Sequence, residues 1–199
     1  MQKKILILPF VLLLFNSSLL AQATFSFGVK GGVNFSTLMG EGAEGSDALI
    51  GPHAGGLVNY SSTNDEGFLK NALQAEILYS LQGAKSGDDK TTLSYINIPI
   101  MIQRYIASSG FYIETGPQLG FLISAKQKLN GTETDIKGES KTFDFSVNFG
   151  LGYKHNSGIG INARYGLGVT SVTSNGYDIN NAVLSAGLFY VFGSNNSNY

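Results

Sequence analysis

The stretch FDFSVNFGLGY at 143–153 alternates without a break between apolar residues and residues that are polar or glycine. A helix would spread both sets around its circumference, whereas a β-strand places them on opposite faces. The stretch therefore predicts a strand with one face that is apolar from end to end. In a soluble protein this face would pack on a core. In a membrane barrel it would face lipid, and the polar face would line the lumen.

The first segment of the chain has the pattern of a secretory signal peptide. Two lysines precede an apolar run over 5–15, and Ala-Gln-Ala at 21–23 supplies small residues for cleavage. The alternative, a transmembrane anchor, is disfavoured because a spanning helix needs about 20 apolar residues. We expect residues 1–23 to be removed, with cleavage after Ala21 or Ala23, so that the mature protein leaves the cytoplasm.

Strand-like alternation occurs in eight segments of the remaining chain. They are 24–36, 50–60, 68–83, 92–106, 111–125, 142–154, 159–170 and 182–192. Most reach the roughly 9–11 residues that a tilted membrane strand needs. Long polar connections alternate with short ones along the chain. The long ones are 37–49, 84–91, 126–141 and 171–181, and the short ones are 61–67, 107–110 and 155–158.

This sorting of connections is typical of outer-membrane barrels, which have an even number of strands, long loops on one side and short turns on the other. A soluble sandwich is compatible with the alternation alone, but it gives no reason for sorting loops by length. We therefore predict an all-β fold, an eight-stranded antiparallel up-and-down transmembrane β-barrel over 24–192. A polar C-terminal tail at 193–199 would follow it.

The charged residues in the middle of the predicted strands all fall on the polar face. They are Lys30, Glu76, Glu114 and Arg164. A lysine or arginine on the lipid face at mid-membrane would cost about 2–4 kcal/mol, so this sorting is meaningful. Isolated buried charges are costly in a narrow barrel, and we expect the four to pair in a network that closes the lumen. The alternative is a narrow pore lined by the same residues, since inner-face glycines such as Gly150 could leave a gap.

Aromatic residues on the predicted outer face lie near strand ends. Those towards the short turns are Phe25, Tyr60, Phe111, Tyr153 and Phe192, and those towards the long loops are Phe35, Phe121 and Phe143. This placement predicts two aromatic girdles at the membrane interfaces. Pro99 lies inside a strand although it cannot donate to the ladder, and it predicts a bulge or a local gap.

Composition excludes several classes of function. A net charge of −1 gives no support for nucleic-acid binding, and the absence of cysteine excludes disulfides, thiol nucleophiles and a lipid anchor on cysteine. His53 is predicted to point into the lumen, where it could meet Glu76, and His155 to lie in a turn, but no feature places a serine beside His53 and Glu76. Glu41, Glu44 and Asp47 could bind Ca²⁺ loosely, but a solvated acidic loop fits them better. We expect no cofactor, no metal and no catalysis.

Three segments resemble the PorT-like outer-membrane β-barrel proteins of Gram-negative bacteria. They are GVKGGVNFS at 28–36, YINIP at 95–99 and GPQLG at 116–120. The resemblance implies an eight-stranded barrel in the outer membrane. With the short turns in the periplasm, we expect both termini to be periplasmic as well. The founding member of that family is linked to protein export by the type IX secretion system, and most relatives have no assigned role.

The last predicted strand resembles the signal that the barrel-assembly machinery reads, which is polar, any, glycine, any, any, hydrophobic, any, hydrophobic. The matching residues are Ser185, Gly187, Tyr190 and Phe192. Expected partners are thus this machinery, outer-membrane lipid and, through the four long loops, a secretion machine or surface partner. We expect a structural or interaction barrel. A narrow solute or hydrophobic-ligand channel is the alternative, and a lipid-modifying enzyme is the least favoured.

Overall fold

The computed structural model describes residues 23–40, 46–62, 69–106, 109–172 and 179–193, and nine strands are present within these ranges. They are β1 (Ala23–Gly40), β2 (Asp47–Ser62), β3 (Leu69–Ser86), β4 (Asp89–Ile106), β5 (Phe111–Leu129), β6 (Thr132–Asp135), β7 (Phe143–Lys154), β8 (Ile159–Gly168) and β9 (Ile179–Val191). A short 3-10 turn at Lys137–Glu139 precedes β7. The described residues contain no helix that is long and apolar enough to cross a membrane.

Eight of the nine strands form a closed antiparallel ring. Each pairs with its neighbours in the chain, β5 pairs with β7, and β1 pairs with β9 to close the circle. The predicted eight-stranded antiparallel barrel is therefore confirmed. The ninth strand, β6, pairs with β5 alone and extends a hairpin beyond the ring. The predicted signal peptide, apart from its last residue, and nearly all of the predicted polar tail lie outside the described residues.

The two faces of the wall are sorted as the alternation predicts. In β7, Phe149 and Leu151 are 53% and 61% exposed on the outer face, whereas Asp144 and Asn148 are 5% and 3% exposed on the inner face. Large apolar side chains are thus outside and polar ones inside, the reverse of a soluble core. This arrangement suits a wall that is surrounded by lipid.

The barrel has two distinct ends. At the turn end lie the connections 62–69, 106–111 and 154–159 and the two ends of the described chain. At the loop end lie the connections 40–47, 86–89, 129–143 and 168–179. Outward rings pair at both ends, as predicted for two aromatic girdles. The ring centroids are 5.1 Å apart for Phe25–Tyr60, 4.8 Å for Phe111–Tyr153 and 5.8 Å for Phe121–Phe143.

The predicted boundaries of the long loops are wrong. The segment 84–91 is strand except for a turn at Gly87–Asp88, and 126–141 holds the end of β5, all of β6 and the 3-10 turn. Likewise, β1 runs to Gly40 and β9 begins at Ile179, while 41–45 and 173–178 lie outside the described residues. The physical reason is that a polar composition indicates contact with water, not the absence of a strand. A hairpin that extends beyond the membrane can continue its backbone hydrogen bonds while its side chains are polar.

The strand ladder is interrupted on both sides of Pro99. The pairing of β3 with β4 passes from Ala75↔Ile100 to Leu78↔Asn97 and omits the two positions between them. The pairing of β4 with β5 omits two positions next to Pro117. Proline has no N–H to donate, so the ladder lapses while the register is kept. The predicted local gap at Pro99 is confirmed.

Candidate functional site: a filled polar lumen

Four strands bring the predicted lumen charges together. Lys30 on β1, Glu76 on β3, Glu114 on β5 and Arg164 on β8 are each at most 6% exposed. Lys30 Nζ lies 3.3 Å from Glu76 Oε1, and Arg164 Nη2 lies 2.9 Å from the same oxygen and 3.0 Å from Glu114 Oε1. These four residues are called the charge cluster below. Arg164 is its centre, because its planar guanidinium contacts both carboxylates.

Neutral amides complete the hydrogen bonding of the two carboxylates. Gln74 Nε2 donates to Glu76 Oε1 at 2.7 Å, and Gln103 Nε2 donates to Glu114 Oε2 at 3.1 Å. Asn59 in turn donates to the side-chain oxygens of Gln74 and Gln103. A buried ion pair is tolerated when its remaining lone pairs and protons are satisfied in this way. The sequence analysis did not single out these amides, although their inward position follows from strand parity.

An apolar plug fills the lumen at the turn end. Its members are Leu57, Ala72, Tyr105, Tyr112, Phe189 and Val191. The Tyr105 and Tyr112 rings pack with centroids 5.1 Å apart, and the ammonium of Lys154 lies 5.5 Å from the Tyr105 ring centroid. Inner-face glycines make room for these rings, because a Cβ at Gly160 would overlap the ring of Phe189.

A polar layer lies between the charge cluster and the loop end. Asn34 Nδ2 donates to Ser80 Oγ at 2.9 Å, and Asn34 Oδ1 lies 2.9 Å from His53 Nδ1. His53 thus points inward as predicted, and it bonds to an amide rather than to Glu76. The layer encloses a cavity of about 30 Å³ that is also lined by Lys30 and Arg164. That space suits about two water molecules.

A second apolar cluster lies beyond the polar layer at the loop end. It contains Leu93, Tyr95, Leu122 and Ala125, and Leu38 and Ile136 pack against it. Beside it, Asp144 accepts hydrogen bonds from Ser146 at 2.8 Å and Thr170 at 2.9 Å. Within the described residues the lumen is therefore occupied in layers: apolar, charged, polar and apolar.

The residues of the predicted assembly signal lie along the end of β9, and one of them adjoins the charge cluster. The Ser185 hydroxyl donates to the backbone oxygen of Arg164 at 3.4 Å, and Gly187 pairs with Gly32 across the closing seam. Tyr190 and Phe192 face outward with ring centroids 5.3 Å apart. The role of these residues in assembly stays a prediction.

The other candidate residues do not form a site in the part of the chain that is described. His155 Nδ1 lies 2.9 Å from Ser157 Oγ inside an exposed turn, and neither histidine forms an ion pair with a described carboxylate. The described residues contain no group of three or more histidine, aspartate or glutamate side chains placed to hold a metal. Of the three acidic residues considered for Ca²⁺, Glu41 and Glu44 lie outside the described residues.

A family model and one solved structure support the outer-membrane barrel architecture. A family model described as "Outer membrane protein beta-barrel domain" matches residues 20–174. Neisserial surface protein A is 15% identical, with a TM-score of 0.58 over 84% of this chain and 98% of that one. Ail, the attachment invasion locus protein of Yersinia pestis, is 16% identical, with a TM-score of 0.49 over 84% and 98%. The outer membrane enzyme PagL is 14% identical, with a TM-score of 0.38 over 82% and 97%. No curated protein matches the chain.

Proposed function

Because this chain belongs to the outer membrane protein beta-barrel domain family, we propose that it is a non-catalytic barrel with a closed lumen that acts through its loop end. The observation that carries the proposal is the filling of the lumen. A neutral cluster of two cations and two anions lies between apolar layers, and the cavity of about 30 Å³ beside it has room for about two water molecules.

The charge cluster supports closure because opening it would be costly. A permeating solute would have to separate Arg164 from Glu76 and Glu114, whose side chains are at most 5% exposed. Breaking a buried pair leaves an uncompensated charge, at a cost of about 3–5 kcal/mol. The plug at the turn end would also have to move. Both features favour a scaffold over a channel.

The loop end is the surface through which such a barrel would act. We place the loop end outside the cell and both termini in the periplasm, which is the usual arrangement of barrels with long hairpins on one side. The hairpins β3–β4 and β5–β6 project as paired strands, so they offer a rigid surface to a partner. The resemblance to PorT-like proteins makes an accessory role in export, of the type IX kind, the more specific form of this proposal.

A non-catalytic role is supported by the surroundings of the two histidines. His53 is held by Asn34 inside the lumen, and His155 is held by Ser157 in an exposed turn. Neither arrangement has the chain of nucleophile, base and acid that hydrolysis by a serine needs. Mass profiles of lipid A from cells with and without the protein would test this directly, because an enzyme acting on lipid would change them.

Planar-bilayer recording tests the closed lumen. The purified chain, shown to be inserted by its heat-dependent gel mobility, should give no steady conductance. Steady conductance that changes with Arg164→Ala would contradict closure and support the narrow channel instead. Arg104→Ala is the matched control, because Arg104 is exposed on the outer face and should not influence a pore.

A separate experiment tests the role in export. Cells without the protein should lose particular secreted proteins from the medium, and a hairpin variant that keeps the barrel folded should do the same. An unchanged set of secreted proteins would exclude the export form of the proposal. It would leave the closed lumen untouched, because that is measured on the purified chain.

A further inference from the structure

Three lysines lie side by side across three neighbouring strands at the loop end. Lys85 on β3 is paired with Lys90 on β4, and Lys90 is paired with Lys128 on β5. Lys85 and Lys90 are exposed and Lys128 is half-buried. Their neighbours Ala84 and Ala125 are buried on the inner side, so the three lysines share the outer face. We call them the lysine row.

The lysine row concentrates positive charge, and within the described residues carboxylates stand opposite it only at its two ends. Like charges directly opposite each other on adjacent strands destabilise a sheet. The ion pairs among the described residues involve Lys30, Lys126 and Arg164, and none involves the row. Lys90 has a lysine on both sides, so like charges that cost stability lie opposite each other at the centre of the row.

Two described carboxylates stand opposite the ends of the row, and one of them is already bound to another lysine. Asp47 is paired with Lys85, and Glu133 is paired with Lys128, at the two ends of the row. Glu133 is also bound to Lys126 at 2.6 Å, and Asp89 accepts a hydrogen bond from the backbone of Asn130. Within the described residues no carboxylate is paired with Lys90 across the sheet, which leaves the centre of the row available to an external anion.

The height of the row on the barrel indicates which anion that is. The outward apolar residues of β3 end at Leu81, and Lys85 lies four residues further along the strand. At about 3.3 Å per residue and a tilt of about 35–45°, this places the row about 10 Å beyond the apolar band. Lipid headgroups occupy the layer just outside the hydrocarbon core, and lysine side chains reach back towards it.

We propose that the lysine row binds the phosphate groups of lipid headgroups in the leaflet at the loop end. Lysine is a common phosphate ligand, and three ammonium groups on one rigid row can contact a doubly phosphorylated headgroup together. The lipid would then neutralise a repulsion that the bare barrel carries. The location rests on the proposed orientation, in which the loop end faces outward, but the binding chemistry does not.

Retention of diphosphoryl lipid A by the purified barrel tests this. Full-length chain in detergent, mixed with diphosphoryl lipid A, is measured by native mass spectrometry. Lys85→Gln/Lys90→Gln should weaken retention about tenfold or more, as expected for two lost lysine–phosphate contacts. Lys137→Gln/Lys141→Gln is the matched control, since it removes two exposed lysines of the same end, and it should change retention less than about twofold.

The outcomes separate the lipid site from its alternatives. Equal losses of lipid retention in both variants would mean that diffuse surface charge holds the lipid and that the row is not a specific site. No loss of retention in either variant would refute the site. Competition by inorganic phosphate at low millimolar concentration would make it a free-phosphate site instead. In detergent without lipid, the row variant should be at least as stable as the unchanged chain, because a repulsion has been removed. Whole-cell labelling of loop-end lysines tests the orientation separately.

Discussion

The charge cluster in the lumen and the Lys126–Glu133 pair at the loop end use the same chemical groups in opposite surroundings. The exposed pair is the closer one, with 2.6 Å between its atoms against 2.9–3.3 Å in the cluster. However, each side chain of the exposed pair is 53% accessible, whereas those of the cluster are at most 5% accessible. Bulk water competes for the first pair, whereas the second can be reached only by the roughly two water molecules that the adjacent cavity holds.

This difference shows that distance alone is a poor guide to the importance of an ion pair. Removing an exposed partner lets water take its place, so little is lost. Removing a buried partner leaves a charge that neither water nor the protein compensates. The experiments below, ordered by expected effect, either widen this contrast or remove it.

The largest effect is expected for Glu76→Gln. Glu76 is the carboxylate that contacts both Lys30 and Arg164, so its loss leaves two buried cations with one anion. We expect the free energy of unfolding to fall by about 3–5 kcal/mol. The measurement is the folded fraction on unheated gels across a urea series. A fall in the free energy of unfolding below about 1 kcal/mol would mean that the cluster stabilises the fold no more than an ordinary surface ion pair does.

A smaller loss is expected for Glu114→Gln. Arg164 keeps its two contacts with Glu76, and the one oxygen of the new amide can still accept from either Gln103 or Asn162, which donate to different oxygens of Glu114. Loss of one charged hydrogen-bond partner predicts about 1.5–3 kcal/mol in the same urea series. If this variant were less stable than Glu76→Gln, Arg164 would depend on Glu114 more than on Glu76, against the contacts described above.

A partial rescue is expected when Lys30→Met is added to Glu76→Gln. The second change removes the cation that the first one leaves unpaired, and Arg164 and Glu114 remain as a neutral pair. The double variant should be about 1–2 kcal/mol more stable than Glu76→Gln alone, in the same urea series. Additive losses would mean that Lys30 and Glu76 act independently, and the cluster would then be two separate sites.

No measurable change in unfolding midpoint is expected for Glu133→Gln. Lys126 donates a hydrogen bond that lowers the pKa of Glu133, and Glu133 raises the pKa of Lys126. Any contribution of the Glu133 carboxylate is present above its unfolded pKa and is lost as pH falls through its folded pKa. Because both side chains are 53% exposed, solvent screens this contribution, and the unfolding curves of the variant and the unchanged chain should overlap at pH 7 as well as in acid. A clear difference at neutral pH would contradict the contrast between the two pairs.

Strand parity made much of the site predictable from sequence, because neighbouring residues on a strand face opposite sides. The same rule separates Gln103, which binds Glu114 inside the lumen, from Arg104, which is exposed outside. The rule also predicted that all four charged residues of the cluster face inward, without any knowledge of which strands are paired. The gap at Pro99 was predictable for a different reason, because the missing N–H is a property of that one residue.

Contacts that depend on register could not be predicted in the same way. The bulges between Ala48 and His53 and between Ser94 and Tyr95 shift which residues face each other, and no sequence pattern marks them. The bonding of His53 to Asn34 depends on how β1 aligns with β2 and so was missed. The strand β6 was missed for a different reason, because its residues TETD are polar on both faces and read as loop.

The seam between β1 and β9 has a consequence for the order in which the barrel is built. Gly28 pairs with Val191 and Gly40 with Ile179, so the ring is closed by residues from opposite ends of the described chain. Until β9 docks, both edges of the sheet carry unpaired N–H and C=O groups, which lipid cannot satisfy. The barrel therefore has no stable half-built stage within the membrane. Closure of the barrel therefore requires β9, and the charge cluster inside the lumen forms together with the closed ring.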